Sequence, residues 1–323
     1  MSSSSTPGTE TPPPPQRVYV VLNPRAGGGK GEERWKELEL PLKTRFPVLT
    51  VLRTTRPQEE AELGRRSVRE GADLIIAAGG DGTLSGVVDG VLSEPPPTNR
   101  STPPVAVLPV GTGSDFARGL ELPRDPAQEV PRIASGPPRR LDVGRLTFPG
   151  ETPPRVRHFV NQSYVGFGAK VVRRVNEKKG ARSEGAYTRA VFPELVHHRP
   201  LLIELKGVGA PQGSFGLSNL VVAIGRYSGG GMLSSPNSDP ADGIFDMIAV
   251  GPTSRGRLLS NLSKFRTGRH LTLKDVIVWK GTTLEVEAKD GRPEEHLVEA
   301  DGDIVGRLPV RYEILPRALT FWG

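Results

Sequence analysis

The sequence contains no cysteine. That excludes disulfides, thiol catalysis and cysteine-ligated zinc, and it fits a cytosolic protein. Long apolar runs are also missing: none approaches the ~20 residues that a bilayer-spanning helix needs. Aromatic residues make up only 6% of the chain, and its arginines are scattered rather than interleaved with them. Nucleic acid is therefore the poorest of the partners that a basic protein suits. Residues 1–16 have neither a cationic start nor an apolar core, being mostly Ser, Thr and Pro. They read as a disordered tail, not as a signal peptide or an anchor.

What is present is a chain of 323 residues, enough for two domains, with 43 Lys and Arg against 36 Asp and Glu, a net charge of +7. That balance suits an anionic lipid surface or a phosphorylated small molecule. Residues 17–140 alternate strand and helix patterns. Val18–Leu22, Val48–Leu52, Leu74–Ala78 and Val105–Pro109 read as strands; Glu32–Leu42, Gln58–Glu70 and Leu84–Leu92 read as helices. The pattern predicts an N-terminal doubly wound α/β nucleotide-binding domain with its site at the strand C-terminal ends.

From about residue 141 the pattern becomes that of strands separated by turns: Leu141–Leu146, Val156–Ser163, Leu201–Leu205, Leu217–Ile224, Ile244–Val250, Val276–Trp279, Leu284–Ala288 and His296–Val298. This series predicts a mostly antiparallel β-sandwich over residues 141–313. Two helical stretches interrupt it, Ala186–His198 and Arg255–Phe265. Residues 314–323 are expected to return to the N-terminal domain. His197-His198 closes a predicted helix, where the negative pole favours a cation.

Gly79-Gly80-Asp81-Gly82-Thr83 is the most informative stretch. A buried strand runs into glycines and then directly into a helix, which lets backbone amides approach phosphate oxygens. Asp81 and Thr83 add a carboxylate and a hydroxyl suited to hydrated Mg²⁺ and a phosphate. Asn23-Pro24-Arg25-Ala26-Gly27-Gly28-Gly29-Lys30 is a second donor-rich loop, but without the Lys-Ser/Thr ending of a P-loop NTPase. A third glycine turn, Gly111-Thr112-Gly113, precedes Ser114-Asp115-Phe116-Ala117-Arg118, where Asp115 also suits a helix start. Gly229-Gly230-Gly231 is followed by Asp242-Gly243, and the series closes on Asp301-Gly302-Asp303; both Asp-Gly pairs are hairpin signals.

Taken in this order, the motifs resemble the diacylglycerol kinase catalytic-domain family, which includes bacterial soluble lipid kinases and sphingosine kinases and is related more distantly to NAD kinases. The resemblance spans about residues 17–323. It implies ATP-dependent phosphorylation of a lipid hydroxyl, diacylglycerol-like or sphingoid-like, by a cytoplasmic protein that visits the membrane surface transiently. It also implies Mg²⁺ as cofactor, lipid entry between the domains and, as among relatives, homodimerisation.

Carried over by position, Asn23 and the Gly27–Lys30 backbone hold nucleotide phosphates and Thr55 meets the nucleotide. Gly79, Gly80, Asp81, Gly82 and Thr83, with Gly111 and Thr112, complete the Mg-ATP site. Asp115 lies at the headgroup. Asp303 is the general base, with Asp301 as the alternative base or a metal holder. A separate structural Mg²⁺ or Ca²⁺ is implied at the Asp242 carboxylate and the carbonyls of Asp239 and Ile244. Lys178, Lys179 and Arg182 suit contact with anionic lipid, beside the amphipathic stretch of Tyr187, Val191 and Leu195.

The chain departs from the family pattern at five positions. Ser85-Gly86 stands where Asn-Glu is usual, Ser114 and Ile224 stand where Asn is usual, and Asp303 where Glu is usual. A base one methylene shorter displaces a proton acceptor by about an ångström, worth ~10²-fold in rate. Three functional readings follow: a lipid kinase, a kinase of a soluble acceptor such as NAD, and a homologue that binds nucleotide or lipid with weakened catalysis.

Overall fold

The computed structural model describes residues 15–110, 114–123, 125–177 and 184–323. The first part runs β1 (Arg17–Leu22), α1 (Ala26–Gly29), α2 (Gly31–Arg45), β2 (Val48–Arg53), α3 (Glu60–Arg69), β3 (Leu74–Gly79), α4 (Asp81–Ser93), β4 (Val105–Pro109), α5 (Asp115–Gly119) and α6 (Pro126–Ser135). The second runs β5 (Pro138–Phe148), β6 (Arg155–Phe159), β7 (Gln162–Gly166), α7 (Phe167–Glu177), α8 (Glu184–His197), β8 (Leu201–Lys206), β9 (Ser214–Leu217) and β10 (Asn219–Ala223). It ends with β11 (Phe245–Val250), α9 (Arg255–Arg266), β12 (Val276–Gly281), β13 (Thr283–Ala288), β14 (Leu297–Ala300), β15 (Asp303–Arg307) and β16 (Val310–Trp322).

The N-terminal strands are parallel in the order β2-β1-β3-β4. β1, β3 and β4 are apolar nearly throughout because both faces are covered. On one face Val18, Val20, Ile76 and Ala78 pack against Trp35, Leu38 and Leu42 of α2 and Ile133 of α6. On the other, Val21, Ile75 and Ala77 pack against Leu63 and Val68 of α3 and Leu84, Val87 and Val91 of α4. This is the predicted doubly wound α/β arrangement. The chain leaves the C-terminal ends of β1, β3 and β4 at Asn23, Gly80 and Val110, which places the motifs on one rim of the sheet.

The same sheet continues beyond β4 through β16, β13, β8 and β9, with β5 and β6 alongside β16. A second, antiparallel sheet runs β12-β11-β10-β7-β14-β15. The faces of the two sheets enclose Phe148, Phe159, Leu220, Met247, Leu284 and Tyr312, forming the expected sandwich. β16 crosses from one half to the other. Its early residues pair with β13 and β5, and Phe321 pairs in parallel with Val105 of β4. Trp322 Nε1 donates to Ile133 O of α6 at 2.7 Å.

Two expected strands divide. Val156–Ser163 is not one strand: β6 belongs to the first sheet and β7 to the second, with Val160-Asn161 between them. Leu217–Ile224 likewise splits at Ser218 into β9 and β10, one in each sheet. Alternation reports which side chains are buried, and a strand that changes sheets at a corner stays buried throughout. Among the described residues no helix is long and apolar enough to cross a membrane.

Candidate active site

All five motifs contribute to one cavity of about 910 Å³ between the rim of the parallel sheet and the outer face of the antiparallel sheet, the fourth through Gly229 and Gly230 and not through Asp242. At one end stands the Asn23 loop. Asn23 caps its own turn by accepting the Arg25 N–H at 3.0 Å, and its amide donates to Glu60 Oε1 and Thr83 Oγ1, both at 3.3 Å. Gly27, Gly28 and Gly29 follow with φ of 61°, 75° and 96°. Left-handed glycines in a turn can present backbone amides to an anion, although the Gly29 amide itself donates to Arg25 O at 3.1 Å. All three line the cavity; Lys30 is exposed and does not. Thr55 lines it as well, its amide and hydroxyl both donating to Glu59 Oε2, at 2.6 and 3.0 Å.

Helix α4 begins inside the second motif. The amides of Thr83 and Leu84 reach back to Gly80 O at 3.0 and 3.1 Å. Asp81 and Gly82, whose amides the helix itself cannot pair, line the cavity. Gly79 closes β3 beneath Thr83, too near for any Cβ. The Asp81 carboxylate points across to α5, where Oδ2 accepts the Asp115 N–H at 2.9 Å and Oδ1 the Phe116 N–H at 3.0 Å. Asp115 in turn accepts the amide of Gly230, in the triple-glycine loop, at 2.8 Å. Burial first, then the neighbouring Asp115 charge, raises the pKa of Asp81 above the ordinary carboxylate value.

Asp301 and Gly302 form the predicted hairpin turn between β14 and β15, with φ of 47° and 92°. The Asp301 carboxylate accepts three amides at the corner between the sheets: Val160 at 2.8 Å, and Asn161 and Gln162 at 3.0 Å each. Its oxygens are thus committed to holding that corner, and burial raises its pKa. Asp303, the first residue of β15, is half-buried at the cavity wall. Two further acids line the cavity that the motifs did not announce: Glu60 from α3 and Glu299 from β14. The one available signal for Glu299 was a carboxylate in the otherwise apolar run Leu297-Val298-Glu299-Ala300. Burial, with the charges of Asp301 and Asp303, holds Glu299 well above its ordinary value.

The far end of the cavity is apolar. Phe167, Val171 and Val172 of α7, Leu258 and Leu262 of α9, and Val221 of β10 line it. Helix α7 was not expected from the sequence.

The Asp242 loop lies elsewhere and does not line this cavity. Asp239 Oδ1 accepts the Ala241 amide and Asp242 Oδ1 the Ile244 amide, at 3.0 and 3.2 Å. The Lys280 ammonium stands 3.5 Å from Asp242 and 3.3 Å from Asp246. Among the described residues no group of three acids or histidines gathers to hold a metal. Gly111, Thr112, Lys178, Lys179 and Arg182 lie outside the described residues.

Comparison with known families places these features together. The diacylglycerol kinase catalytic domain matches residues 17–146, and the YegS C-terminal NAD kinase beta sandwich-like domain matches residues 161–323. This chain belongs to the diacylglycerol kinase family. It is 27% identical to a diacylglycerol kinase of Mycobacterium tuberculosis over 304 residues, 94% of each chain. It is also 27% identical to a diacylglycerol kinase of Bacillus subtilis over 309 residues, again 94% of each. In fold it resembles a diacylglycerol kinase from Bacillus anthracis, with a TM-score of 0.68 at 21% identity over 96% of this chain and 97% of that one. An NAD kinase from Archaeoglobus fulgidus in complex with ATP is more distant, with a TM-score of 0.51 at 16% identity over 95% and 94%.

Membership of this kinase family implies use of ATP, and the residues present fit it. The glycine turn, the start of α4 and the Asn23 amide supply phosphate donors. Carboxylates on the same wall suit Mg²⁺, which binds one or two carboxylates together with substrate phosphates rather than a complete protein cage. Two of the departures from the diacylglycerol kinase pattern have a physical setting here. A Cβ on Gly86 would stand 2.7 Å from the Cβ of Glu60, so glycine lets α3 approach α4 and bring Glu60 to the cavity. Ile224 is buried in the sandwich core.

Proposed function

We propose that this chain is an ATP-dependent lipid kinase that transfers the γ-phosphoryl group to a lipid hydroxyl. The observation that carries the reading is the single cavity whose polar end offers phosphate donors and whose other end is apolar. A soluble acceptor has no use for the apolar arm, whereas an acyl chain does. Asn23, the backbone at Gly27 and Gly28 and the start of α4 would hold the phosphates. Mg²⁺, when bound, supplies charge neutralisation, and Asp81, Asp115 and Asp303, which line the cavity, would hold it or its waters. Phosphoryl transfer is chiefly positioning and electrostatics, and an alcohol needs one base for its proton. Asp303, the first residue of β15 at the cavity wall, is assigned as that base.

The names of the relatives favour a diacylglycerol-like acceptor. Exposed Phe192 and Val196 of α8 and Leu259 of α9 neighbour the apolar arm and suit transient contact with a bilayer through which the lipid enters. The test is incubation of the purified chain with [γ-³²P]ATP, Mg²⁺ and a panel of lipids in mixed micelles, with Asp303→Asn as control. Labelled lipid that disappears with the variant supports the reading. ATP consumption only with a soluble acceptor such as NAD, or ATP binding without transfer to any acceptor, overturns it.

A further inference from the structure

Glu60 is a carboxylate at the phosphate end of the cavity that none of the glycine motifs carries. It is 9% exposed and belongs to the cavity wall. It opens α3, where Glu59 and Glu62 also stand, but of the three only Glu60 is buried and lines the cavity. Asn23 Nδ2 donates to Glu60 Oε1 and to Thr83 Oγ1, at 3.3 Å each, while Asn23 Oδ1 takes the Arg25 amide at 3.0 Å. One carboxamide thus ties the loop after β1 to α3 and α4. A carboxylate only accepts, so Glu60 keeps the Asn23 NH₂ group turned toward itself and Thr83. Thr83 takes that hydrogen and has its own hydroxyl hydrogen to give, the form that bonds a phosphate oxygen.

The packing of α3 on α4 shows why the acid stands here. A Cβ on Gly64 would lie 2.8 Å from Val87 O, and one on Gly90 would collide with Ala61 O, so the two helices meet backbone to backbone. At Gly86 the obstacle is a side chain. A Cβ there would lie 2.7 Å from the Cβ of Glu60, whereas the nearest backbone atom of α3, Ala61 N, would be 3.6 Å away, an ordinary contact. Positions 60 and 86 therefore compete for one space, and this chain fills it from α3. Position 86 is also where its sequence has glycine in place of the usual glutamate.

We infer that the carboxylate serving the phosphate end stands on α3 rather than α4: Glu60 occupies the space that a side chain at position 86 would fill and, through Asn23, sets Thr83 for the nucleotide phosphates. This rests on the reading that the chain binds Mg-ATP, and not on the identity of the acceptor. Glu60 is a positioning residue, acting on the phosphates through Asn23 and Thr83 rather than by touching them. The neutral carboxamide between them lets an acid assist an anion that it would repel on contact.

The experiment measures Mg²⁺-dependent binding of the fluorescent analogue mant-ATP to the purified chain, well below its melting temperature, with thermal melting alongside. No acceptor is needed. Glu60→Leu, which keeps the bulk and removes the acceptor oxygens, should weaken binding about tenfold, the worth of one hydrogen bond to a charged group. Glu60→Gln, whose amide oxygen still accepts from Asn23, should stay within about threefold of wild type. Thr83→Val should also weaken binding, and its combination with Glu60→Leu should cost less than the two losses summed, because both act on one contact. Gly86→Glu alone should lower the melting temperature, and Glu60→Gly alone should weaken binding as Glu60→Leu does. The two together should bring binding back to within about threefold of wild type, a carboxylate now entering the shared space from α4. An unchanged Kd in Glu60→Leu, equal losses in Glu60→Gln and Glu60→Leu, or additive losses with Thr83→Val overturn the inference. So does a paired exchange that fails to fold or binds no better than Glu60→Gly. If Glu60→Leu does not fold, Glu60→Gly is read in its place by the same Kd. Wild type that binds no mant-ATP removes the kinase reading as well; wild-type binding that the Glu60 variants leave unaltered removes this inference alone.

Discussion

Asp81 caps the helix that Asp115 begins: its two carboxylate oxygens receive the amides of Asp115 and Phe116 at 2.9 and 3.0 Å. The aspartate of one phosphate-facing motif thereby fixes the start of another. Asp81→Ala should remove a cap worth about 1 kcal/mol and lower the melting temperature by a few degrees. It should also cut turnover by ~10²-fold or more, since α5 carries Asp115 into the site. Asp81→Asn, which keeps one acceptor, should recover part of the stability. Melting curves and kcat for both variants decide it; full activity in Asp81→Ala would refute the site assignment.

Asp303 is expected to affect chemistry rather than ATP binding. Asp303→Asn should lower kcat by about 10²–10³-fold with KM for ATP nearly unchanged. Asp303→Glu, which restores the missing methylene, should retain or exceed wild-type turnover. Steady-state kinetics with varied ATP provide the check, and a kcat untouched by Asp303→Asn would assign the base elsewhere.

Asp89 of α4 is buried and is held by Arg157 Nη1 at 2.7 Å and by the His158 amide at 2.8 Å. This contact joins α4 to β6. Removing one partner leaves the other charge uncompensated, so Asp89→Ala should destabilise by about 3–5 kcal/mol. The double variant Asp89→Leu with Arg157→Met should lose less than the sum of the single changes. Urea denaturation of wild type, Asp89→Leu, Arg157→Met and the double variant measures the coupling.

His198 was expected as a cation at a helix end. It is instead buried against Phe167, with Nε2 3.2 Å from Ser218 Oγ. Burial, then Lys170 and Arg255, pulls its pKa down from 6.5 to about 4. The folded state keeps the ring neutral where the unfolded chain would protonate it. Its stabilising contribution is therefore complete above pH 6.5 and is lost as pH falls toward about 4. His198→Gln should flatten the decline of unfolding free energy over this interval; an unaltered slope in urea titrations would contradict the assignment.

The N-terminal half was legible because its strands end in glycines at a rim, and a strand–glycine–helix pattern has few other uses. The Asp301-Gly302 turn was legible for a similar local reason. Partnership between distant segments was not. Val156–Ser163 reads as one strand because residues 158–163 stay buried through the corner, and what divides it is Asp301, about 140 residues away. Helix α7 was hidden by Val171-Val172 and by its flanking glycines, which suit a strand or a turn as well as a helix. Glu60 and Glu299 are single carboxylates in segments read for their apolar neighbours. Only the approach of α3 to α4, and of β14 to β7, brings them to the cavity.

Because β4 takes Phe321 of β16 as its neighbour, the nucleotide-binding half is begun early in synthesis and finished late. At ~5–20 residues per second, the ribosome leaves β4 waiting roughly 10–40 s for that partner. Through that interval the nascent sheet carries a bare parallel edge lined by Val105 and Val107, the kind of edge that templates pairing with another chain. Rapid overproduction crowds such half-finished chains together. The yield of soluble protein then falls as more half-finished chains are present at once, so starting fewer chains per unit time favours the closed sheet over the aggregate.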